Sequence, residues 1–502
     1  MKTLYRAGRV HTLSHPQTGE WILIDERHVQ RVGAGDPPKA DRVVELPGST
    51  ILPGFIDSHV HLSGAGAAAD DDEAGLVRSA SELLDLVRRR SVTGGLTVVR
   101  GFDESRWDVP ILPTLGELDA SSPAPLIVGR TDGHVSLANT AALEAAGVLA
   151  LPGVERDAQG RPTGRVTVEA NRRLHRFAAT SLDDRDVREL QLRGAALAAS
   201  RGVTCIHEMA MPLEQGIREL EVLLGHRTQL PVDVVPVMST MDIPQVMDLR
   251  LPAIGGDLPI DGSIGARTAA LSAPYADAAE AGSLAYTDEE LAGFFAAGHH
   301  AGLQVGVHAI GDRAIDQALA AWERVYAELY SRGRRHFRAR LHRIEHFEMA
   351  TTEQVERAAM LGLAASVQPA FDSLWGHAGG LYEAAVGRER AGSMNAFRTM
   401  IDRGLELGAG SDAPVTPLDP MLGIDAFETH HAPSQRLARL GAVRAWTIGS
   451  ARLAHQEDKK GALEPGMHAD FAVYEVDPLA AGSVLGIRPV LTVSLGREVF
   501  AT

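Results

Sequence analysis

The sequence predicts an α/β protein, a TIM-like (β/α)8 barrel with a small β-sandwich domain that both chain termini build. Two observations lead to this prediction. The long middle of the chain alternates short apolar runs with alanine-rich helical segments, and both ends are rich in short strands. Strands that alternate with helices are typical of parallel β/α units. About eight such strands over ~400 residues favour a closed barrel over an open sheet.

The two ends of the chain show short candidate strands separated by turns. These cover residues 4–12, 21–32 and 43–46 near the N-terminus, and 470–474 and 490–495 near the C-terminus. Glycines and prolines interrupt both regions, as expected of turns between strands. We therefore expect residues 1–52 and 456–502 to form the two parts of one β-sandwich, beside a barrel of residues 53–455.

The middle of the chain provides the candidate barrel strands. They cover residues 96–99, 126–128, 203–206, 232–237, 303–307, 340–344, 363–367 and 405–409. Amphipathic segments at 186–199, 288–297, 314–329 and 352–360 are candidate helices between them. The acidic run at 70–73 is predicted to be a solvated loop or the start of a helix.

Composition excludes several classes of function. The 502-residue chain carries a formal net charge of -16 at pH 7, so its surface repels nucleic acid and anionic membranes. The single cysteine, Cys205, forms no intramolecular disulfide and is expected to be a buried apolar residue. The first residues show no apolar run of signal-peptide length, and no stretch of about 18 apolar residues follows. We expect a cytoplasmic protein.

The strongest chemical signal is the motif PGFIDSHVH at residues 53–61. Residues i and i+2 of a strand face the same side, so His59 and His61 point together, into the barrel. Two imidazoles in that arrangement suit Zn, Fe or another borderline divalent metal. A lone His-x-His is ordinarily incidental, but inside an apolar strand just after Pro-Gly we interpret it as a metal site.

Three later strands also end on groups that bind metals. His308 and His346 lie near two consecutive strand ends, with His342 as a neighbouring alternative, and Asp412 follows a late strand. Catalytic groups of TIM barrels converge at the C-terminal ends of the strands. His308 alone is as consistent with a structural histidine as with a ligand. Together with His59 and His61, however, these residues predict a metal centre.

These motifs identify a family resemblance: the chain resembles the amidohydrolase superfamily, specifically the YtcJ-like branch that includes N-substituted formamide deformylases. The resemblance covers essentially the whole chain. It rests on PGFIDSHVH at 53–61, DGH at 132–134 with Asn139, DGSIGART at 261–268, HAIGDRA at 308–314, RIEH at 343–346 and GSDAP at 410–414. It implies a (β/α)8 barrel flanked by a β-sandwich from both termini, in agreement with the strand pattern.

The resemblance also implies roles for the motif residues. His59 and His61 would be metal ligands of the first strand, His308 and His346 those of the fifth and sixth, and Asp412 the eighth-strand aspartate. A bound divalent cation, Zn or alternatively Fe or Mn, would lower the pKa of its water. Asp412 would take the proton of that water and later hand it to the leaving nitrogen. The alternative for Asp412 is a helix N-cap.

The sequence departs from the family at the bridging ligand. Binuclear members carry a carboxylated lysine at the end of the fourth strand, whereas residues 255–262 contain no lysine. Either the site holds one metal, or a carboxylate replaces the bridge. Asp257 is the positional candidate and Glu208, at the third strand end, is another. Of one or two ions per chain, we expect one tightly held ion.

Further residues are predicted to act on the substrate. The predicted catalytic residues are Asp412, His346 and His134. His134 could also bind a substrate carbonyl or carboxylate, Arg267 and Arg313 could each clamp an anion, and Gln368 could line the pocket. The neighbours Arg343 and Glu345 are expected to form a structural ion pair.

The sequence thus predicts hydrolysis of a carbon–nitrogen bond other than a peptide bond, such as an N-formyl or N-acyl amide of a small molecule, by metal-activated water. Deamination, or hydrolysis of a cyclic amide or ester, would use nearly the same site and is the alternative. A non-catalytic barrel that serves as a binding protein is a second alternative, against which the retained ligands argue. The expected partner is a small-molecule substrate, and barrels of this size often form homo-oligomers.

Overall fold

The computed structural model describes residues 1–68, 74–91, 95–212 and 216–502, which contain three β-sheets and the helices packed around them. The strands are β1 (Lys2–His11), β2 (Thr18–Asp25), β3 (His28–Gly33), β4 (Arg42–Pro53), β5 (Phe55–Val60), β6 (Thr97–Phe102), β7 (Leu126–Arg130), β8 (Val135–Ala138), β9 (Val154–Arg156), β10 (Pro162–Thr167), β11 (Val203–Ala210), β12 (Asp233–Met238), β13 (Ala253–Ile254), β14 (Gln304–Ala309), β15 (Arg343–His346), β16 (Ala364–Val367), β17 (Glu406–Ala409), β18 (Phe471–Tyr474), β19 (Leu491–Ser494) and β20 (Arg497–Ala501).

The α-helices of these residues lie mostly between the barrel strands. They are Leu62–Ala68, Ala80–Arg90, Leu115–Ser121, Thr140–Ala145, Val168–Thr180, Asp184–Ser200, Arg218–His226, Ile243–Asp248, Asp288–His300, Asp312–Ala327, Ser331–Ala339, Thr352–Leu361, Pro369–Trp375, Leu381–Val386, Arg388–Ala391, Phe397–Asp402, Pro420–Thr429, Arg439–Arg444 and Ser450–Leu453. The four predicted helices are confirmed, and the predicted acidic loop at 70–73 lies outside the described residues. No helix in the described ranges is long and apolar enough to cross a membrane.

Both chain termini contribute to one seven-stranded sheet, in the order β20-β19-β18-β4-β1-β2-β3. The joint between the termini is the antiparallel pair β4 and β18, in which Leu52 faces Ala472. The predicted strand at 21–32 is in fact the hairpin of β2 and β3, because the chain reverses at Glu26, whose φ is +51°. The prediction that the two ends build one β-domain is confirmed.

Eight parallel strands form the barrel, in the order β5-β11-β12-β13-β14-β15-β16-β17. The barrel closes between β17 and β5, where the backbone N–H of Asp412 donates to the carbonyl of His59 (2.8 Å) and that of His61 donates to Ala413 (2.9 Å). The predicted (β/α)8 barrel is therefore confirmed. Its core contains Cys205, which is fully buried as predicted.

An inserted five-stranded sheet, in the order β6-β7-β8-β10-β9, lies between the first and second barrel strands in the chain. The predicted strands at 96–99 and 126–128 belong to this sheet and not to the barrel, because an apolar run predicts a buried strand but does not specify its partners. The fourth barrel strand, β13, has only two residues and gives no apolar run. The inserted sheet covers one side of the barrel mouth.

Asp57 holds the closing seam of the barrel together. Its buried carboxylate accepts hydrogen bonds from the backbone N–H (2.9 Å) and the hydroxyl (2.6 Å) of Ser411, and from the N–H of His59 (3.3 Å). Gly410 has no Cβ, which lets the chain before Ser411 pass close to the backbone of His59. A Cβ at Gly410 would lie 2.6 Å from the backbone nitrogen of His59. The seam carries His59, His61 and Asp412, so these contacts also position candidate metal ligands.

Removing the seam carboxylate is expected to destabilise the fold. Asp57→Ala leaves the buried donors of Ser411 without an acceptor, which costs about 1–3 kcal/mol. Urea denaturation measures the free energy of unfolding. Asp57→Asn is the matched control. It keeps an acceptor oxygen, so its free energy of unfolding should fall less than that of Asp57→Ala. Equal stability of Asp57→Ala and the parent chain would contradict this role.

Candidate metal centre

Six side chains from the ends of five barrel strands converge at the C-terminal mouth of the barrel. They are His59, His61, Asp257, His308, His346 and Asp412. The five predicted strand-end ligands are all among them, together with Asp257, which follows the short strand β13. All but His61 are buried, and the side chain of His61 is only 12% exposed.

Asp257 lies between two pairs of histidines. Its Oδ1 is 3.3 Å from His308 Nδ1 and 3.2 Å from His346 Nε2. On the other side, its Oδ2 is 3.5 Å from His61 Nε2, and Oδ1 is 3.7 Å from His59 Nε2. Each pair forms, with Asp257, a triad whose donor atoms lie within 4.8 Å of one another. Asp257 is therefore shared by two candidate donor sets, whereas one ion was expected from the sequence.

Two buried atoms of the cluster lack a well-aligned hydrogen bond. They are His59 Nε2 and Asp412 Oδ1, which lie 3.4 Å apart. Buried polar atoms without partners are costly, and a cation between them would satisfy both. Imidazole and carboxylate donors suit Zn, and also Fe or Mn. The residues present thus fit a divalent metal.

Hydrogen bonds on the far side of the rings orient three of the histidines. His59 Nδ1 lies 2.8 Å from Glu345 Oε2, His61 Nδ1 lies 3.0 Å from the carbonyl of Met209, and His346 Nδ1 lies 2.8 Å from Gln368 Oε1. Each acceptor favours the tautomer protonated at Nδ1, which leaves Nε2 available to a metal. Gln368 thus orients a candidate ligand, whereas the sequence predicted that it lines the pocket.

The predicted ion pair of Arg343 and Glu345 is present and buried. The guanidinium Nε of Arg343 lies 2.8 Å from Glu345 Oε1, and both side chains are at most 2% exposed. Against the effect of burial, Arg343 lowers the pKa of Glu345 to about 2. Glu345 is therefore ionised where it accepts the hydrogen bond of His59.

The carboxylates of the cluster and the histidines His59 and His61 shift each other's pKa values towards the charged forms. Burial disfavours a charged imidazole, but the carboxylates of Asp412 and Asp257 outweigh it and hold the pKa of His59 well above its ordinary value. Against burial, Asp412 also raises the pKa of His61 to about 9. His59 in turn holds the pKa of Asp257 well below its usual range, although burial acts to raise it. A cation and protons would compete for these atoms.

Two sequence-based alternatives do not fit the structure. Glu208 lies outside the donor sets, since its Oε2 accepts a 2.6 Å hydrogen bond from the N–H of Leu62, at the start of a helix. Asp412 is not a helix N-cap, because the helix that follows begins at Pro420 and Asp419 caps it. From the sequence, Glu208 was an alternative ligand and Asp412 an alternative helix N-cap, because the sequence does not show where each side chain points.

A cavity of about 710 Å³ opens onto the cluster. His134 lines it, with its ring centroid 5.6 Å from that of His308, in agreement with its predicted place at the site. Phe371, Trp375 and Tyr382 form an aromatic wall, and the carboxyl group of Glu348 also lines the cavity. The sequence analysis missed Glu348, which lies two residues beyond His346.

The two predicted anion clamps do not line the cavity. The guanidinium of Arg267 pairs with Asp277 (2.9 Å) and donates to the carbonyls of Ile264 and Gly265. These partners hold its guanidinium outside the cavity lining, which the motif alone does not reveal. Arg313 is exposed on the first turn of a helix. The prediction of both clamps is wrong.

A buried arginine of the inserted sheet was missed by the sequence analysis. Arg130, whose side chain is 1% exposed, pairs with Asp103 (3.2 Å) and Asp132 (2.8 Å). Asp103 accepts a hydrogen bond from Trp375 Nε1 (3.1 Å), and Asp132 accepts one from the N–H of His134 (3.1 Å). Arg130 therefore fixes two parts of the cavity wall. In the sequence, Arg130 is recognisable only as a lone arginine at the end of an apolar strand.

Comparisons with known proteins agree with this geometry. Residues 42–500 match the model of the amidohydrolase family. The putative amidohydrolase YtcJ of Bacillus subtilis is 26% identical over 96% of this chain and 95% of its own length. The N-substituted formamide deformylase of Arthrobacter pascens is 26% identical over 92% and 90%. The crystal structure of an uncharacterized metal-dependent hydrolase from Pyrococcus horikoshii, 26% identical, aligns with a TM-score of 0.76 over 96% of this chain and 99% of its own.

The bridging position of Asp257 predicts the metal content. Protein purified without chelators is expected to contain about two divalent ions per chain, as in two-metal hydrolytic sites. Asp257→Asn, which removes one anionic oxygen shared by both triads, is expected to lose at least one ion. Elemental analysis by mass spectrometry measures both. Glu208→Gln is the matched control and should keep the full content, whereas an unaltered content in Asp257→Asn would contradict the bridge.

The contact between Glu345 and His59 predicts a change in metal affinity. Glu345→Gln weakens the acceptor that orients the ring, and such changes cost about 10–100-fold in affinity. Competition with a chromophoric chelator measures the dissociation constant for zinc. Arg313→Gln, a surface change, is the control. If Glu345→Gln binds zinc with the affinity of the parent chain, the His59 ring does not depend on this hydrogen bond and the prediction is wrong.

Proposed function

This chain belongs to the amidohydrolase family, and we propose that it hydrolyses a carbon–nitrogen bond other than a peptide bond, in an N-formyl or N-acyl amide of a small molecule. Metal-dependent hydrolysis follows from the family; the bond and the substrate class are the proposal. The observation that carries it is the pair of donor triads that share Asp257, each with two histidines, and beside them Asp412, whose Oδ1 lies 3.1 Å from His61 Nε2. We further propose zinc as the metal, because imidazoles dominate the donor set.

Asp412 is the proposed proton-transfer group. A bound divalent cation polarises a carbonyl oxygen and makes water acidic near neutral pH. Against the effect of burial, His59 and His61 lower the pKa of Asp412, so its carboxylate is ionised at neutral pH. Its Oδ1 accepts a proton from water as the oxygen–carbon bond forms. The same oxygen returns the proton to nitrogen as the carbon–nitrogen bond breaks, which yields a carboxylic acid and an amine.

The rest of the cavity supports an amide with an apolar substituent. His134, beside His308, is placed to donate a hydrogen bond to the carbonyl oxygen, where negative charge develops. The wall of Phe371, Trp375 and Tyr382 offers an apolar surface to the group on nitrogen or carbon. The Arthrobacter relative is named for the hydrolysis of N-substituted formamides, which agrees with this substrate class.

N-benzylformamide tests the proposal directly. The zinc-loaded chain is expected to release formate and benzylamine in equal amounts, and Asp412→Asn is expected to lower kcat by about 10²–10⁴-fold, the usual contribution of a proton-transfer group. Chromatography of both products measures the rate, and zinc content is checked in each variant. Arg313→Gln should keep the parent rate. Release of ammonia from an amino-substituted ring, without amide hydrolysis, would favour deamination instead.

A further inference from the structure

A row of residues crosses the face of the inserted sheet that borders the cavity. Arg100 in β6 pairs with Gly129 in β7, and Gly129 pairs with Ser136 in β8. Residues paired across neighbouring strands point to the same face of a sheet. We call these three residues the arginine row. Arg100 and Gly129 line the same cavity as the metal centre.

Gly129 gives the arginine its path along this face. A Cβ built at Gly129 would lie 3.9 Å from Cγ of Arg100, so the arginine side chain passes beside the bare backbone of its neighbour. Beyond Gly129, the hydroxyl of Ser136 lies 3.3 Å from Nε2 of His175, whose side chain also lines the cavity. The row thus places a guanidinium and an imidazole on one wall.

The charge of Arg100 is not neutralised by a close carboxylate. Among the described residues, no acidic oxygen lies within 4.0 Å of its guanidinium, and the acidic group that acts on it electrostatically is the more distant Glu219. An arginine remains charged in proteins, and a charge in a poorly hydrated site is costly unless a partner is present. A ligand anion would supply that partner through two parallel hydrogen bonds.

The arginine row lies beyond His134 as seen from the metal centre. His134 contacts His308, and Ser136 follows it by two residues, which corresponds to about 7 Å along a strand. Arg100 and His61 line the same cavity, so one continuous space connects the arginine with the metal centre. One small molecule could therefore occupy the metal centre and the row together.

We propose that the arginine row, with His175, is an anion subsite that binds a carboxylate of the substrate, separated from the scissile amide by a spacer such as an aromatic ring. The position of the amide in this proposal rests on the proposed function. The new element is the negative charge of the substrate. An acidic protein that binds an anionic substrate needs a local positive site, and Arg100 provides it. Arg100 is thus a specificity-determining residue.

The test measures binding and does not depend on hydrolysis. The probes are 4-propylbenzoate and its uncharged counterpart 4-propylacetophenone, titrated into the zinc-loaded protein by calorimetry. Neither contains a carbon–nitrogen bond, so a failure of the proposed hydrolysis would leave this result readable. The benzoate is expected to bind about tenfold more tightly or better, as hydrogen bonds between charged groups provide.

Variants of Arg100 test whether the tighter binding of the benzoate depends on the arginine row. Arg100→Gln should abolish it, Arg100→Lys should retain part of it, and Arg313→Gln should leave it intact; circular dichroism confirms that each variant folds. Equal binding of the two probes, or no binding of the benzoate at millimolar concentration, would overturn the proposal. A preference that survives in Arg100→Gln would also overturn it, because the carboxylate would then be bound by the metal.

Discussion

The carboxylate of Asp257 stands between four imidazoles, and the arrangement of the metal centre depends on it. Its two oxygens lie 3.2 to 3.7 Å from nitrogens of His59, His61, His308 and His346. Without Asp257, Asp412 would be the one carboxylate left in the donor groups that these four histidines form. If two cations bind, the carboxylate of Asp257 would supply the negative charge between them.

The barrel and the inserted sheet make separate contributions to the site. The barrel brings ligands from distant parts of the chain to one mouth, and the seam at Asp57 fixes three of them. The inserted sheet supplies no ligand to the donor clusters among the described residues. It provides His134 and the arginine row, and Arg130 anchors it to the helix that carries Trp375. The candidate metal ligands thus come from the barrel, whereas the cavity wall comes from both the barrel loops and the insertion.

The sequence predicted the parts of the site that follow from strand geometry. His59 and His61 face one side because a strand repeats every two residues, and the ends of parallel strands must meet at one mouth. It could not choose between Asp257 and Glu208, since both follow strands and only tertiary packing orients them. It also placed Arg267 in the pocket, whereas Asp277 holds its guanidinium outside the cavity lining. The inserted sheet was missed because local pattern does not specify strand partners.

The central claim is that Asp257 bridges two metal ions, and anomalous diffraction from crystals of the zinc-loaded protein tests it most directly. We expect two anomalous peaks at the barrel mouth, one beside His59 and His61 and the other beside His308 and His346, with an oxygen of Asp257 coordinated to each. A single peak, or two peaks that Asp257 does not connect, would contradict the account.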